Sequence, residues 1–411
     1  MNILITGING FVGSNLVAAL KAQHTIYGLD ILSLQKEGVV KTYKWDELKL
    51  VCDIDIIIHL AAIAHDTKNK TCAEVFFNIT TGLTQKIYDW FLSSEAKKFI
   101  FFSTVKSAAD KVVGDILTED VVPSPRGPYG ESKIAAEKYI LSRQLAVGSQ
   151  QSAVSSQELA DGSQKLAVSN KKYAVNSRES GVKSSESAVG SQKLAVSNKK
   201  STVNSRESGV KNSESAVGSQ QSVDTNNQFA NSSQEFLLPT TNGLLPTSEC
   251  PLKLTYILRP CMIHGPGNKG NLNLLYKVVM KGIPYPLGAF ENRRSFCSID
   301  NLSFVISELI EKEIASGIYN VGDDESLSTN ELITLMATSM NKPVRIWKWN
   351  KALVQLAAKV GTLFHLPLNT ERLQKLTDNY VVSNAKIKQA LGIDKMPFRA
   401  EDGFKKTVKS F

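Results

Sequence analysis

Four short stretches combine residue types that can do chemistry. Ser103-Thr104 follows the apolar run KKFIFF and precedes Val105-Lys106, so hydroxyls and a cation sit at the end of a buried segment. Tyr129 and Lys133 form a Tyr-x-x-x-Lys pair, and i, i+4 spacing puts both side chains on one helical face. A phenol with pKa ~10 is a poor base at neutral pH, but a neighbouring ammonium favours phenolate, and a shift of about three units needs only ~4 kcal/mol. Near the start, Gly7-Ile8-Asn9-Gly10-Phe11-Val12-Gly13 lies between an apolar strand-like run and a helical one. There, glycines let the backbone approach a pyrophosphate, and the helix N-terminus favours its charge. Asp30 closes the next strand-like run, where a carboxylate accepts hydrogen bonds from an adenosine ribose and repels a 2′-phosphate. Together the glycine turn and Asp30 point to NAD rather than NADP.

These groups need a scaffold that delivers them to one edge. NILIT, TIYGLD, IDIIIHLAA and KKFIFFS read as buried parallel strands, with helical stretches such as FVGSNLVAALKAQ and AEVFFNITTGLTQKIYDWFLSS between them. After a long interruption LKLTYILRP resumes as one more strand. The alternation predicts an α/β fold, a doubly wound parallel Rossmann sheet with a smaller C-terminal substrate-binding domain. The expected division is 1–142 with 251–266 for the dinucleotide-binding part and mainly 267–411 for the substrate part. Between them, 143–250 falls into seven-residue units such as SQKLAVS and SSESAVG, and a 28-residue copy at 163 returns almost unchanged at 191. Its apolar residues are adjacent rather than a/d-spaced, and it is rich in Ser, Asn, Gln, Lys and Gly. Such a tract buries too little apolar surface to offset ordering entropy and reads as a mostly disordered, low-complexity insertion on a surface connection, with short helices as the alternative.

Composition narrows the function. The net charge of +9 arises from Lys and Arg scattered among acids, without a basic stripe interleaved with aromatics, so an anionic small molecule is expected and nucleic acid is not. Cys52, Cys72, Cys250, Cys261 and Cys297 are odd in number and lack CxxC spacing, so neither a disulfide framework nor a metal site is expected. The N-terminus lacks a basic n-region and no uncharged run reaches the length of a membrane helix; a cytoplasmic protein without a membrane span is expected. NKALVQLAAKVGTLFHL, interrupted by Lys351, Gln355 and Lys359, reads as a core helix of the substrate domain.

Several motifs occur in order: GxxGxxG at 7–13, HLAA at 59–62, Asn78, Ser103-Thr104, YxxxK at 129–133, RPCMIHGPG at 259–267, NRRSFCSIDNL at 292–302 and YNVGDDESLSTNEL at 319–332. This series resembles the extended short-chain dehydrogenase/reductase family, in its NAD-dependent epimerase/dehydratase branch acting on nucleotide sugars, over essentially the whole chain outside 143–250. The resemblance implies that Gly7, Gly10, Phe11, Val12, Gly13, Asp30, Leu60, Ala61, Ala62, Asn78 and Lys133 hold NAD. It makes Tyr129 the general acid/base and Lys133 its electrostatic partner. Thr104 takes the sugar hydroxyl, with Ser103 as runner-up, and Ser103, Lys106, Asn271 and Arg294 contact substrate, Arg294 as a diphosphate clamp.

The chain departs from the family where VYG has become Ser107-Ala108-Ala109 and where a tyrosine has become His264. Family dehydratases carry Asp-Glu directly after the catalytic Ser/Thr; Val105-Lys106 stands there, which argues against dehydration. Expected is C4 epimerisation of a UDP-hexose or UDP-N-acetylhexosamine through a 4-keto intermediate, in surface polysaccharide synthesis, by a homodimer. NAD(P)H-dependent reduction of a UDP-4-keto-6-deoxy-hexosamine is the alternative, and a non-catalytic NAD-binding scaffold is the reading from another class.

Overall fold

The computed structural model describes residues 1–63, 72–146, 253–268, 271–363 and 369–411. Most of 143–250 lies outside them, and with it the expectation of disorder. Seven strands, β1 (Asn2–Thr6), β2 (Thr25–Asp30), β3 (Lys41–Lys44), β4 (Ile56–His59), β5 (Lys98–Phe102), β6 (Leu254–Pro260) and β9 (Gly317–Val321), form one parallel sheet in the order β3-β2-β1-β4-β5-β6-β9. The order reverses between β1 and β4, where ligands bind open α/β sheets beyond the carboxyl ends of the strands.

Residues alternate between two fully covered faces, which is why the strands read as continuous apolar runs. On one face Ile3, Ile5, Ile58, Ile100 and Leu258 pack against α1 (Phe11–Leu20) and α7 (Ile299–Glu311). On the other, Leu4, Ile57, Phe99, Phe101 and Ile257 pack against α3 (Leu83–Ser93) and against α5, whose described part runs 128–146. The helix ahead of α3 begins as α2 (Ala73–Phe76) and passes through a π-helical turn, Phe77–Gly82, that carries Asn78.

Two expected boundaries shift. Residues 143–146 are helical and continue α5. Residues 299–321 belong to the sheet domain despite lying beyond 266: α7 covers the face beside α1, and β9 pairs with β6 from Tyr256↔Gly317 to Pro260↔Val321.

The remaining C-terminal elements form a smaller layer. A two-stranded parallel ribbon, β7 (Met262–His264) with β8 (Phe296–Ser298), adjoins α6 (Asn271–Met280), α8 (Thr329–Ser339) and α12 (Ala400–Lys409), joined by Leu272, Phe296, Leu332, Met336 and Phe404. A second cluster joins α9 (Lys351–Leu363) to α10 (Thr370–Thr377) through Val354, Ala358, Leu373 and Leu287. Contrary to the expected core helix, α9 buries only the edge formed by Val354, Ala358 and Gly361. α11 (Ala385–Leu391) returns to the sheet.

Candidate active site

Local geometry at the switch point starts with two glycines. Gly7 has φ +69°, and a Cβ there would stand 3.0 Å from the Ala61 backbone; one on Gly13 would stand 2.7 Å from the Gly7 carbonyl oxygen. Both positions exclude side chains, so the β1 turn, the start of α1 and the bend after β4 close on one another. The Thr6 hydroxyl accepts from the amides of Leu60 and Ala61, and it meets Nδ1 of buried His59 at 2.6 Å. Burial holds His59 neutral, its pKa well below the ordinary value. This clamp fixes Leu60-Ala61-Ala62 against the glycine turn.

α1 starts at Gly10 without a side-chain cap, leaving the first amides at Phe11 and Val12 without a side-chain acceptor. Asp30 ends β2 with its carboxylate accepting from the amides of Asn9 and Ile31 at 2.9 and 2.7 Å. An uncapped helix N-terminus beside a glycine cradle, with a carboxylate at the adjacent strand end, fits a dinucleotide. Lys36 was not marked by the sequence: its ammonium reaches over the turn to the Ile8 carbonyl and the Ser14 hydroxyl, both at 2.8 Å. Asn78 is exposed on the π-helical turn.

At the end of β5 the two hydroxyls diverge, as successive side chains of extended chain must. Thr104, nearly buried, hydrogen-bonds the Tyr129 phenol and caps α4 (Val105–Ala108) by accepting from the Lys106 amide. Ser103, the runner-up, turns the opposite way: its hydroxyl bonds Ser107 and the carboxylate of Glu137, so it does not face the tyrosine. Burial raises the Tyr129 pKa and the Thr104 hydrogen bond pulls it down.

One turn along α5, Lys133 is buried with its ammonium on the Phe102 carbonyl oxygen, and burial lowers its pKa to about 7 against the opposing pull of Glu137. Glu137 is one turn further on. It is buried against Arg259 of β6, whose guanidinium Nε lies 3.1 and 3.2 Å from the two carboxylate oxygens, and it also accepts from Ser107 at 2.6 Å. Neither Glu137 nor Arg259 was singled out from sequence as a working residue. The i+8 spacing from Tyr129 was the available signal for Glu137.

Beside this row opens a cavity of about 370 Å³ lined by Lys106, Lys111, Arg126 and Arg294, with Asp110 and Asp378 on its wall. Four cations against two carboxylates suit a diphosphate, and Arg126 and Arg294 are the planar forks among them. The Lys106 ammonium lies 2.7 Å from the Asp110 carbonyl oxygen and over the Tyr380 ring at 4.2 Å. Tyr380 holds this wall in place by donating to the Ala109 carbonyl at 2.7 Å. Asn271 opens α6, and its side chain lies outside the described residues. His264, at the family's tyrosine position, is completely buried and stacked on Phe404 at 3.8 Å, away from solvent.

Residues 3–154 match the NAD dependent epimerase/dehydratase family. Over 425 aligned positions the chain is 24% identical to the UDP-glucose 4-epimerase of Vibrio cholerae, covering all of this chain and 95% of that protein. Over residues 3–154 the chain is similar to the NAD dependent epimerase/dehydratase family. A shorter match, 29% identical over 163 residues, 36% of this chain and 48% of the other, is to the GDP-6-deoxy-D-mannose reductase of Pseudomonas aeruginosa. The fold agrees with that of a UDP-glucuronic acid 4-epimerase from Bacillus cereus in complex with NAD, at TM-score 0.55 and 16% identity, covering 100% of this chain and 98% of that one. Among the described residues no helix is long and apolar enough to cross a membrane, and no cluster of His, Cys, Asp or Glu could hold a metal ion.

Proposed function

We propose that this chain is an NAD-dependent nucleotide-sugar 4-epimerase acting on a UDP-hexose or UDP-N-acetylhexosamine, with surface polysaccharide synthesis as its setting. The observation that carries this reading is the Thr104–Tyr129–Lys133 row at the switch point, with Val105-Lys106 in place of a second acid and base. NAD, when bound, supplies a reversible redox partner for the sugar carbon. Gly7, Gly10, Gly13, Asp30 and the uncapped start of α1 would hold it, with Leu60, Ala61, Ala62 and Asn78 alongside.

Thr104 orients the C4 hydroxyl by hydrogen bonding. Tyr129 takes its proton as C4 becomes a ketone and returns it when the ketone is reduced on its other face. Lys133, poised with a pKa of about 7, lends positive charge to the phenolate when protonated. Lys106 and Arg294 receive the diphosphate at the cavity. Retained redox equivalents mean that the cycle consumes no cofactor.

The test is direct. Purified protein given UDP-glucose or UDP-N-acetylglucosamine yields the C4 epimer with no net change in absorbance at the reduced-nicotinamide wavelength. Recovery of unchanged sugar under conditions where NAD is bound counts against the reading.

Lys36 supports a second reading. A cation over the glycine turn, close enough to Asp30 to feel its charge, offsets the repulsion that Asp30 exerts on a 2′-phosphate. That would suit an NADPH-dependent reductase of a 4-keto-6-deoxy sugar. Stoichiometric oxidation of added NADPH by such a sugar selects this reading over epimerisation.

A further inference from the structure

Helix α9 has an apolar side that no element among the described residues covers. Opposite no packed element stand Leu353, Leu356, Val360 and Leu363, exposed by 67, 58, 44 and 73%. Their spacing of three, four and three residues places them in one stripe along the helix, on the side away from the buried edge of Val354, Ala358 and Gly361. Four large aliphatic side chains in a row form a contiguous patch rather than isolated surface leucines. Immediately before α9, Trp347 and Trp349 are both half-exposed and stack with ring centroids 6.3 Å apart.

The chain segment that carries this patch has charge of one sign. From Leu332 to Thr370 the chain contains no Asp or Glu, while Lys342, Arg345, Lys348, Lys351 and Lys359 fall within it. Arg345 is tied to the Gly282 carbonyl at 3.0 Å and Lys342 to that of Met280, which sets both cations next to exposed Met280 and Ile283.

A three-four-three stripe could in principle seat a second copy of the same helix. Doing so would bring two sets of these cations together, and like charges at close range are unfavourable. An aliphatic stripe, a tryptophan pair and a basic segment instead match the two attractions of a lipid interface: apolar burial below the headgroups and charge pairing with anionic ones. We propose that α9 and the Trp347–Trp349 turn dock on an anionic membrane surface, lying in its plane. α10 packs on α9, and Gln374, Asp378 and Tyr380 at and beyond α10 wall the basic cavity. Docking therefore brings that cavity to within a helix of the bilayer, whichever reaction it serves.

The experiment is flotation of the full-length protein with phosphatidylcholine vesicles containing about 30% phosphatidylglycerol, against phosphatidylcholine alone. Binding is expected only to the anionic vesicles, weakened at about 0.5 M salt by screening, with a blue shift of tryptophan emission. Trp347→Ala with Trp349→Ala, and separately Leu356→Gln with Leu363→Gln, should each lower the bound fraction ~10-fold while the far-UV circular dichroism and thermal midpoint stay unchanged. The leucine pair keeps the test decisive if the tryptophan pair perturbs folding. Failure to float with anionic vesicles overturns the proposal. So does equal binding by both variants, or a multimer in lipid-free solution that the leucine substitutions dissociate.

Discussion

Two buried polar clusters in this chain look alike in composition and differ in what surrounds them. Under the catalytic row, Glu137 pairs with Arg259 and gathers Ser103 and Ser107, and its helix presents Lys133 and Tyr129 toward the cleft. In the C-terminal layer, Asp323 accepts from the Ser298 amide and hydroxyl at 3.0 and 2.9 Å and from Asn301 at 2.7 Å. His264 stands 3.5 Å away, with its other nitrogen on Thr407 at 2.9 Å. The second cluster ends on Phe404, Phe296 and Thr407, all interior; the first ends on a half-buried phenol. Burial of titratable groups thus marks a pin in one place and a support for a reacting group in the other. What separates them is whether the chain of contacts ends on a partly exposed titratable group.

The largest expected effect breaks the first cluster at its open end. Tyr129→Phe removes the phenol and keeps the ring, so turnover should fall at least ~10²-fold while NAD binding, read by isothermal calorimetry, is retained. Turnover within a few-fold of the wild type would move the acid/base chemistry elsewhere.

The next effect tests the support. Glu137→Gln leaves the Arg259 guanidinium buried without its counter-charge, and removal of one partner of such a pair costs about 3–5 kcal/mol. Chemical denaturation should register that loss. It should also show a pH signature of Lys133 in the wild type. Burial depresses this lysine from 10.5 to about 7, so the unfolded chain binds the extra proton between those values, and the lysine's contribution makes stability rise with pH across that window. Glu137 opposes the depression, so in Glu137→Gln the pKa of Lys133 falls further and the rising limb begins at lower pH. An unshifted limb would mean that Glu137 does not act on Lys133.

Much of the first cluster was legible because its signals are local. The Gly7 and Gly13 positions follow from a turn that must touch its own backbone, and Tyr129 and Lys133 from one helical spacing. Parallel strands covered on both faces announce themselves as unbroken apolar runs. Arg259 was not legible as a partner of Glu137, since 122 positions separate them and the packing of α5 on the sheet beside β6 brings them together. The choice of Thr104 over Ser103 came from the family resemblance; that Ser103 turns to Ser107 and Glu137 instead is a matter of the face on which α5 packs, which no local pattern reports. α9 misled for the opposite reason: its periodicity was helical, but periodicity does not say how many of its sides find neighbours.

The smallest expected effect probes the closed cluster. Replacing His264 by Phe deletes the hydrogen bond to Thr407 and keeps an aromatic ring for the stack on Phe404. Asp323 keeps the Ser298 amide, the Ser298 hydroxyl and Asn301 as donors, so no buried carboxylate is stranded. The loss should then be that of one ordinary buried hydrogen bond, about 1 kcal/mol in denaturation, with turnover unchanged. If this histidine instead met the sugar, as the family's tyrosine at that position would, the Michaelis constant should rise several-fold with little change in stability. A complete lack of solvent exposure and two interior aromatic neighbours make the first pattern the expected one.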